Sequence, residues 1–302
     1  MINSSDFDVI IIGGSYAGLS AAMALGRSLR KVLVIDSGKP CNRFTSHSHN
    51  FITQDGAVPS EISKTAKDQV LKYDTVQFLD GVAVEARKKE KGFEIEIDSG
   101  ERFNSKKLII STGVRDVFPD IKGFEECWGK TVIHCPYCHG YEFKEAKTAI
   151  MTNADSTFHL ASLVKNLTHK LTIIRFGNTE FSKEQLSKLK QHSISVLEKE
   201  IVEIEHNKGK ISALIFDDGT KEEFDALYAG IPFEQTSHIP FSLGCELTET
   251  GHIQTDFTQK TNVKGVFACG DCTSPMRSVA FAVAAGNITG AMVNHQLAEE
   301  EF

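Results

Sequence analysis

Cys135 and Cys138 stand at C-x-x-C spacing in the run His134-Cys135-Pro136-Tyr137-Cys138-His139. That spacing lets two sulfurs close a small disulfide ring reversibly, and a cationic imidazole on either side would lower a thiol pKa. A second C-x-x-C, Cys269 to Cys272, makes four thiolates formally available to zinc. That pair, however, brackets Gly270-Asp271, which has another use, and the flanks of neither pair resemble a metal knuckle. No metal site is expected, and redox chemistry is preferred. The chain has seven cysteines, an odd count unsuited to a secreted disulfide framework. Cys41, Cys127 and Cys245 read as buried or inert thiols, and Cys272 as packing.

The elements that must position this chemistry begin at the N-terminus. Asp8–Ile12 is a short β-branched run, read as a buried strand. Gly13-Gly14-Ser15-Tyr16-Ala17-Gly18 follows, then a helix-forming stretch to about Leu29 and a second strand, Lys31–Ile35, ending at Asp36. This βαβ order is a dinucleotide fingerprint. Gly13 makes the tight turn, Gly18 lets the helix pack on the strand, and Ser15 takes the middle glycine position. Asp36 is placed to accept hydrogen bonds from a ribose.

The polar stretch 41–57, with Cys41, Asn42, Arg43, His47, His49 and Asn50, reads as a long functional loop. Pro59 starts a helix to about Tyr73. Short β runs at Val82–Arg87, Phe93–Asp98 and Leu108–Ser111 follow, with a solvated Lys88–Lys91 tip. A second α/β unit runs from about Val117 to Gly244. Its strands are Thr148–Met151 and Leu171–Ile174, its helices Ser156–Leu167 and Ser182–Gln191, and Asn207-Lys208-Gly209 marks a hairpin between Ile201–His206 and Ile211–Phe216. Val263–Ala268 returns to strand character before a small-residue helix from about Arg277.

With 33 Lys+Arg against 40 Asp+Glu the net charge is −7, which argues against a nucleic-acid or anionic-membrane partner. The longest apolar runs are too short to span a bilayer, and Met1–Asp8 has acids where a signal peptide has bases. A cytoplasmic location is expected.

With the N-terminal turn, the central cysteine pair and the late Gly-Asp in this order, the chain resembles the low-molecular-weight thioredoxin reductases over nearly its whole length. Gly13–Gly18 with Asp36 is similar to that family's FAD adenosine site, and Ser111-Thr112-Gly113 to its crossing between domains. Gly265-Val266-Phe267-Ala268-Cys269-Gly270-Asp271 resembles its second flavin motif, with Val279–Gly290 as the helix beneath the flavin. A glutaredoxin shares Cys-Pro-Tyr-Cys, but would carry it after the first strand of a small domain. The resemblance implies an α/β fold of two Rossmann-like, three-layer domains. An FAD domain, 1–116 and 245–302, is split by an inserted NAD(P)-binding-like domain, 117–244, that carries the cysteines. It implies FAD held by Gly13, Ser15, Ala17, Gly18, Asp36, Arg43, Asn50, Thr112, Gly113, Gly270 and Asp271, and a homodimer. It implies that Cys138 meets the flavin, that Cys135 exchanges with substrate, and that His139 replaces the family's usual acid as proton carrier. The helix after Asp271 lacks the family's usual glutamine.

The inserted domain departs from that family. Its first turn, Met151-Thr152-Asn153-Ala154-Asp155-Ser156-Thr157, keeps no glycine, and Arg175-Phe176-Gly177 keeps one arginine where a pair would grip a 2′-phosphate. A degenerate NADPH site is expected, with the domain serving as support for the cysteines. Thr112–Asp116, Glu126-Cys127-Trp128 and Cys138–Glu142 are similar to segments of the dithiol oxidases that close gliotoxin- and holomycin-type disulfides. The expected substrate is a small dithiol or disulfide, or a thioredoxin-like protein. The alternatives are an NAD(P)H- or ferredoxin-dependent thioredoxin reductase, and a non-catalytic flavin redox sensor.

Overall fold

The computed structural model describes residues 5–152, 154–177 and 180–302. The chain divides into two compact units, one of Met1–Arg43, Val58–Arg115 and Glu234–Phe302, the other of Phe44–Ala57 and Asp116–Phe233. The polar stretch after Phe44 therefore belongs with the cysteine-bearing unit, and residues 234–244 with the N-terminal one.

In the first unit β1 (Asp6–Ile12) buries Val9, Ile10, Ile11 and Ile12 on both faces, which is why it reads as a continuous apolar run rather than an alternating one. After α1 (Tyr16–Arg27), β2 (Val32–Asp36) returns parallel to it, Val9 facing Val32 and Ile12 facing Ile35. Helix α2 (Pro59–Val70) starts on Pro59, whose missing N–H costs nothing in a first turn. Strand β3 (Val76–Asp80) extends the sheet beyond β2. Strands β4 (Ala83–Lys89), β5 (Gly92–Ile97) and β6 (Arg102–Ile110) form an antiparallel meander. The order is β3-β2-β1-β6-β5-β4. Strand β6 pairs with β5 through its first half, and with the strand Val266–Ala268 through its second.

That last strand is shorter than its apolar sequence suggests. Val266 N–H bonds Val263 O, and Gly265 has φ +86, so residues 263–265 are a turn. The closing helix Val279–Glu301 is capped by Ser278, whose Oγ accepts from Phe281 N–H at 3.1 Å. Its small residues have a packing cause: a Cβ on Gly286 would stand 2.0 Å from Ala17 O, and one on Gly290 2.6 Å from Ala21 O. The helix therefore lies almost backbone to backbone on α1.

The second unit has a five-stranded parallel sheet in the order Ser195–Leu197, Leu171–Ile174, Thr148–Met151, Ala226–Ala229, Val132–Ile133. Helices Ala154–Val164 and Lys183–Gln191 make the crossovers, the latter started by a Ser182–Gln185 capping box. Beside it runs an antiparallel sheet of Ile201–Asn207, Lys210–Phe216 and Lys221–Glu223. Its first hairpin turns on Lys208 and Gly209, both at positive φ, as the Asn-Lys-Gly signal requires. Both units are mixed α/β layers of Rossmann type. No described helix is long and apolar enough to cross a membrane.

Candidate active site

In the second unit the strand Val132–Ile133 delivers the chain to a four-residue helical turn, Pro136–His139, with Cys135 as its N-cap. Cys135 and Cys138 are joined by a disulfide with Cα atoms 5.3 Å apart. The backbone N–H of Cys138 donates to Cys135 Sγ at 3.1 Å, and His139 N–H to Cys135 O at 3.2 Å. Both sulfur-bearing residues are half-buried, while Tyr137 between them and Tyr141 after them are exposed. The pair is therefore held on a rim that solvent and a second thiol can approach.

The two flanking histidines are placed differently. His134 stacks on Trp128, ring centres 5.7 Å apart, at the end of an aromatic cluster with Phe44, Phe118 and Phe124. Trp128 is buried and acts as packing. Both ring nitrogens of His139 are buried with no hydrogen-bond partner among the described residues. Burial lowers its pKa, with the Glu142 carboxylate opposing that shift and His49 adding to it. The imidazole is thus neutral near neutral pH. Stabilisation of a thiolate by a cationic His139, one of the two options raised by the sequence, is replaced by proton acceptance. His49 is half-buried in the same unit, Nε2 3.6 Å from Glu142 Oε1 and Nδ1 3.7 Å from Asp55 Oδ1. His47 is exposed.

The first unit builds a cradle at the end of β1. Gly13 has φ +103, and a Cβ there would stand 2.3 Å from Ser111 O. One on Gly18 would stand 1.9 Å from Gly13 O, so the turn and the helix close on each other only without side chains. Ser111 Oγ donates to Gly13 O at 2.8 Å and ties this turn to the end of β6. Gly14 N–H donates to Asp36 Oδ1 at 3.0 Å, which leaves the second carboxylate oxygen for a ligand. Ser15 makes no side-chain cap bond, so the first-turn N–H groups of α1 are not taken up by it. Thr112 Oγ1 is buried without a partner among the described residues, and Gly113, at φ +65, has open space where a Cβ would be. Gly270 closes the far side: a Cβ there would meet Ala17 Cβ at 2.9 Å.

These contacts bring Gly13, Ser15, Ala17, Gly18, Asp36, Thr112, Gly113 and Gly270 together, with Asp271 next in the chain. Arg43 is exposed in the 3-10 turn Cys41–Phe44 and donates to Pro40 O. Asn50 belongs to the second unit, at φ +58, its N–H on Asp55 Oδ1. The sequence places Gly14 and Ser111 inside matching motifs and Arg277 at a helix start, but gives none of the three a role of its own. A Cβ on Gly14 would stand 2.8 Å from Asp36 Cβ, a constraint only the folded turn reveals. Arg277 lies with Nε 3.9 Å from Asp271 Oδ2 and donates through Nη2 to Cys41 Sγ at 2.8 Å. Cys41 is accordingly a half-buried thiol held by a cation rather than an inert core residue. Cys127, Cys245, Cys269 and Cys272 are buried, and burial raises the thiol pKa of each, Cys127 to about 11 and Cys269 to about 12. Among the described residues no group of three or more His, Cys, Asp or Glu is placed to hold a metal.

A nucleotide cradle and a dithiol on separate α/β units define a flavin-dependent disulfide oxidoreductase class. Residues 7–287 match the pyridine nucleotide-disulphide oxidoreductase family, and the chain belongs to it. It is 33% identical to the thioredoxin reductase tcpT of Claviceps purpurea, over 98% of this chain and 96% of that protein. It is 31% identical to the thioredoxin reductase sirT of Leptosphaeria maculans, over 97% and 94%. The fold matches a crystal structure of an oxidoreductase from Agrobacterium tumefaciens with a TM-score of 0.92 and 36% identity, covering 97% of this chain and 99% of that one. The chain is a thioredoxin reductase-like oxidoreductase, and such homologues are FAD-binding flavoproteins. The residues of the first unit fit FAD: an N–H-lined turn, a carboxylate on the second strand and an orphaned threonine hydroxyl converge on one edge.

Proposed function

We propose that the chain is an FAD-dependent thiol–disulfide oxidoreductase that exchanges electrons through Cys135 and Cys138 and has lost a working NADPH site. The observation that carries this is the half-buried disulfide, with the Cys138 N–H aimed at Cys135 Sγ. After reduction the same N–H favours a thiolate on Cys135 and makes it the better leaving group towards substrate. Gly13–Gly18, Asp36, Thr112, Gly113, Gly270 and Asp271 would hold FAD, with Arg43 as a further contact. Bound FAD supplies the two-electron relay between the pair and oxygen.

A thiolate of a small dithiol attacks Cys135 Sγ. The Cys135–Cys138 bond breaks, and Cys138 leaves as a thiolate. The second substrate thiolate then breaks the mixed disulfide and releases Cys135. Two electrons pass from substrate to the pair, and two protons leave the substrate thiols. Neutral His139 accepts one of them, and the other passes to solvent.

The loss of the NADPH site rests on the turn after the strand Thr148–Met151. Asn153 lies outside the described residues. Around it, the Oγ1 of fully buried Thr157 donates to Thr152 O at 3.0 Å, which ties the turn to the helix from inside. Gly230 approaches so closely that a Cβ there would meet Thr152 Oγ1 at 2.1 Å. In the next turn exposed Arg175 is bonded to Gly177 O. A small dithiol substrate, a homodimer and a reducing compartment such as the cytoplasm complete the reading, the last supported by five free thiols.

The test is anaerobic. Dithiothreitol is expected to bleach the yellow holoprotein, and air to restore the colour. Rapid bleaching by NADPH or NADH would overturn the assignment.

A further inference from the structure

Tyr228 sits at the centre of the second unit, on the strand Ala226–Ala229, between Thr148–Met151 and Val132–Ile133. It is completely buried and among the largest side chains so placed. Its hydroxyl has no hydrogen-bond partner among the described residues. It reaches the underside of the dithiol turn: a Cβ on Gly140, two residues after Cys138, would stand 2.9 Å from Tyr228 Oη and 2.4 Å from Leu167 Cδ1. The turn above it carries two more orphans, the ring nitrogens of His139. Three buried polar atoms, the Tyr228 hydroxyl and both His139 nitrogens, thus go unpaired in and beneath one redox-active turn, where an apolar core would have been cheaper. A phenylalanine would fill the same space without the penalty of an unpaired hydroxyl.

We infer that Tyr228 is a positioning residue of the dithiol, whose hydroxyl finds its partner in the Cys138–Gly140 turn only when the disulfide opens, and so favours the reduced form. The inference rests on the reading of Cys135–Cys138 as the working pair. In the closed ring the turn is pinned by the sulfur–sulfur bond and by the Cys138 and His139 N–H groups on Cys135. Reduction by a dithiol breaks that bond, adds two electrons across the two sulfurs and leaves the donor as a disulfide, its two protons passing to His139 and to solvent. The turn then loses its covalent pin. The Tyr228 ring, fixed by its strand, stays where it is, so the hydroxyl beneath has acceptors within reach that the closed ring withholds. Glu142 belongs to the same neighbourhood, since its charge adds to burial in raising the phenol pKa. The phenol therefore stays protonated and acts as a donor.

The test is Tyr228→Phe in the FAD-loaded full chain. The fraction of Cys135–Cys138 disulfide is read by thiol trapping across dithiothreitol redox buffers. A lost hydrogen bond of ordinary strength in the reduced state shifts the equilibrium about three- to tenfold towards the disulfide. That corresponds to a midpoint more negative by about 14 to 30 mV. The oxidised variant should melt no lower than the parent, because it loses an orphan rather than a bond. An unchanged midpoint overturns the inference, as does an oxidised variant clearly less stable than the parent, which would mean that the hydroxyl was already bonded. Failure of the underlying reading looks different: the parent's own pair would then not equilibrate with dithiothreitol, or would do so without any change in flavin absorbance.

Discussion

The amide of Cys138 donates to the sulfur of Cys135, 3.1 Å away, within the ring that their disulfide closes. The contact is unsymmetrical. Cys135 has an N–H ready to stabilise negative charge, and Cys138 has no such donor from its partner. One sulfur is thereby the better leaving group, and the other lacks that stabilisation.

That asymmetry separates the two cysteines experimentally. Cys138→Ser is expected to keep FAD bound and to abolish dithiol oxidation, because no internal disulfide can re-form. Cys135→Ser is expected to be equally inactive while leaving Cys138 as a free thiol that titrates with a higher pKa than Cys135 does in Cys138→Ser. The checks are turnover with a dithiol and the pH dependence of alkylation of each single thiol. Native-rate turnover in either variant would refute the assignment.

Gly18 is a steric requirement of the cradle. Its added Cβ would fall 1.9 Å from Gly13 O, a backbone atom that cannot swing aside. Gly18→Ala should cost about 1–3 kcal/mol of stability by overpacking, and should lower the FAD content of purified protein. Urea unfolding and the ratio of flavin to protein absorbance measure the two effects. An alanine variant with full flavin and unchanged midpoint would show that the turn has slack.

His139 gives the protein a pH dependence of definite sign. Its folded-state pKa lies below the ordinary value because burial disfavours the imidazolium. The unfolded chain therefore binds this proton more readily. The stability linked to His139 is complete above the unfolded value of about 6.5, and is lost as the pH falls through the folded value. His139→Asn should lose less stability than the parent between about pH 7 and about pH 5. Urea midpoints at the two pH values decide it, and equal losses in both proteins would contradict a buried neutral imidazole.

The sequence alone was enough for everything that depends on neighbours along the chain. The run Asp8–Ile12, the glycine turn and the strand ending at Asp36 announce a nucleotide cradle, because a tight turn between a buried strand and a helix leaves few residue choices. The C-x-x-C announces a disulfide, because two sulfurs three residues apart can close a ring without help from the rest of the fold. Chain-local signals also located most strands and helices to within a few residues. Among the exceptions, the apolar run Val263–Ala268 does not reveal that Gly265 turns the backbone at positive φ, and the strand Arg102–Ile110 shows only its apolar end from Leu108. Tertiary structure decided the rest. Only there do residues far apart in number meet: Ser111 with Gly13, Arg277 with Cys41, Tyr228 beneath Gly140. Only there does burial make His139 neutral, an effect of desolvation by atoms from several elements that leaves no mark on the local sequence.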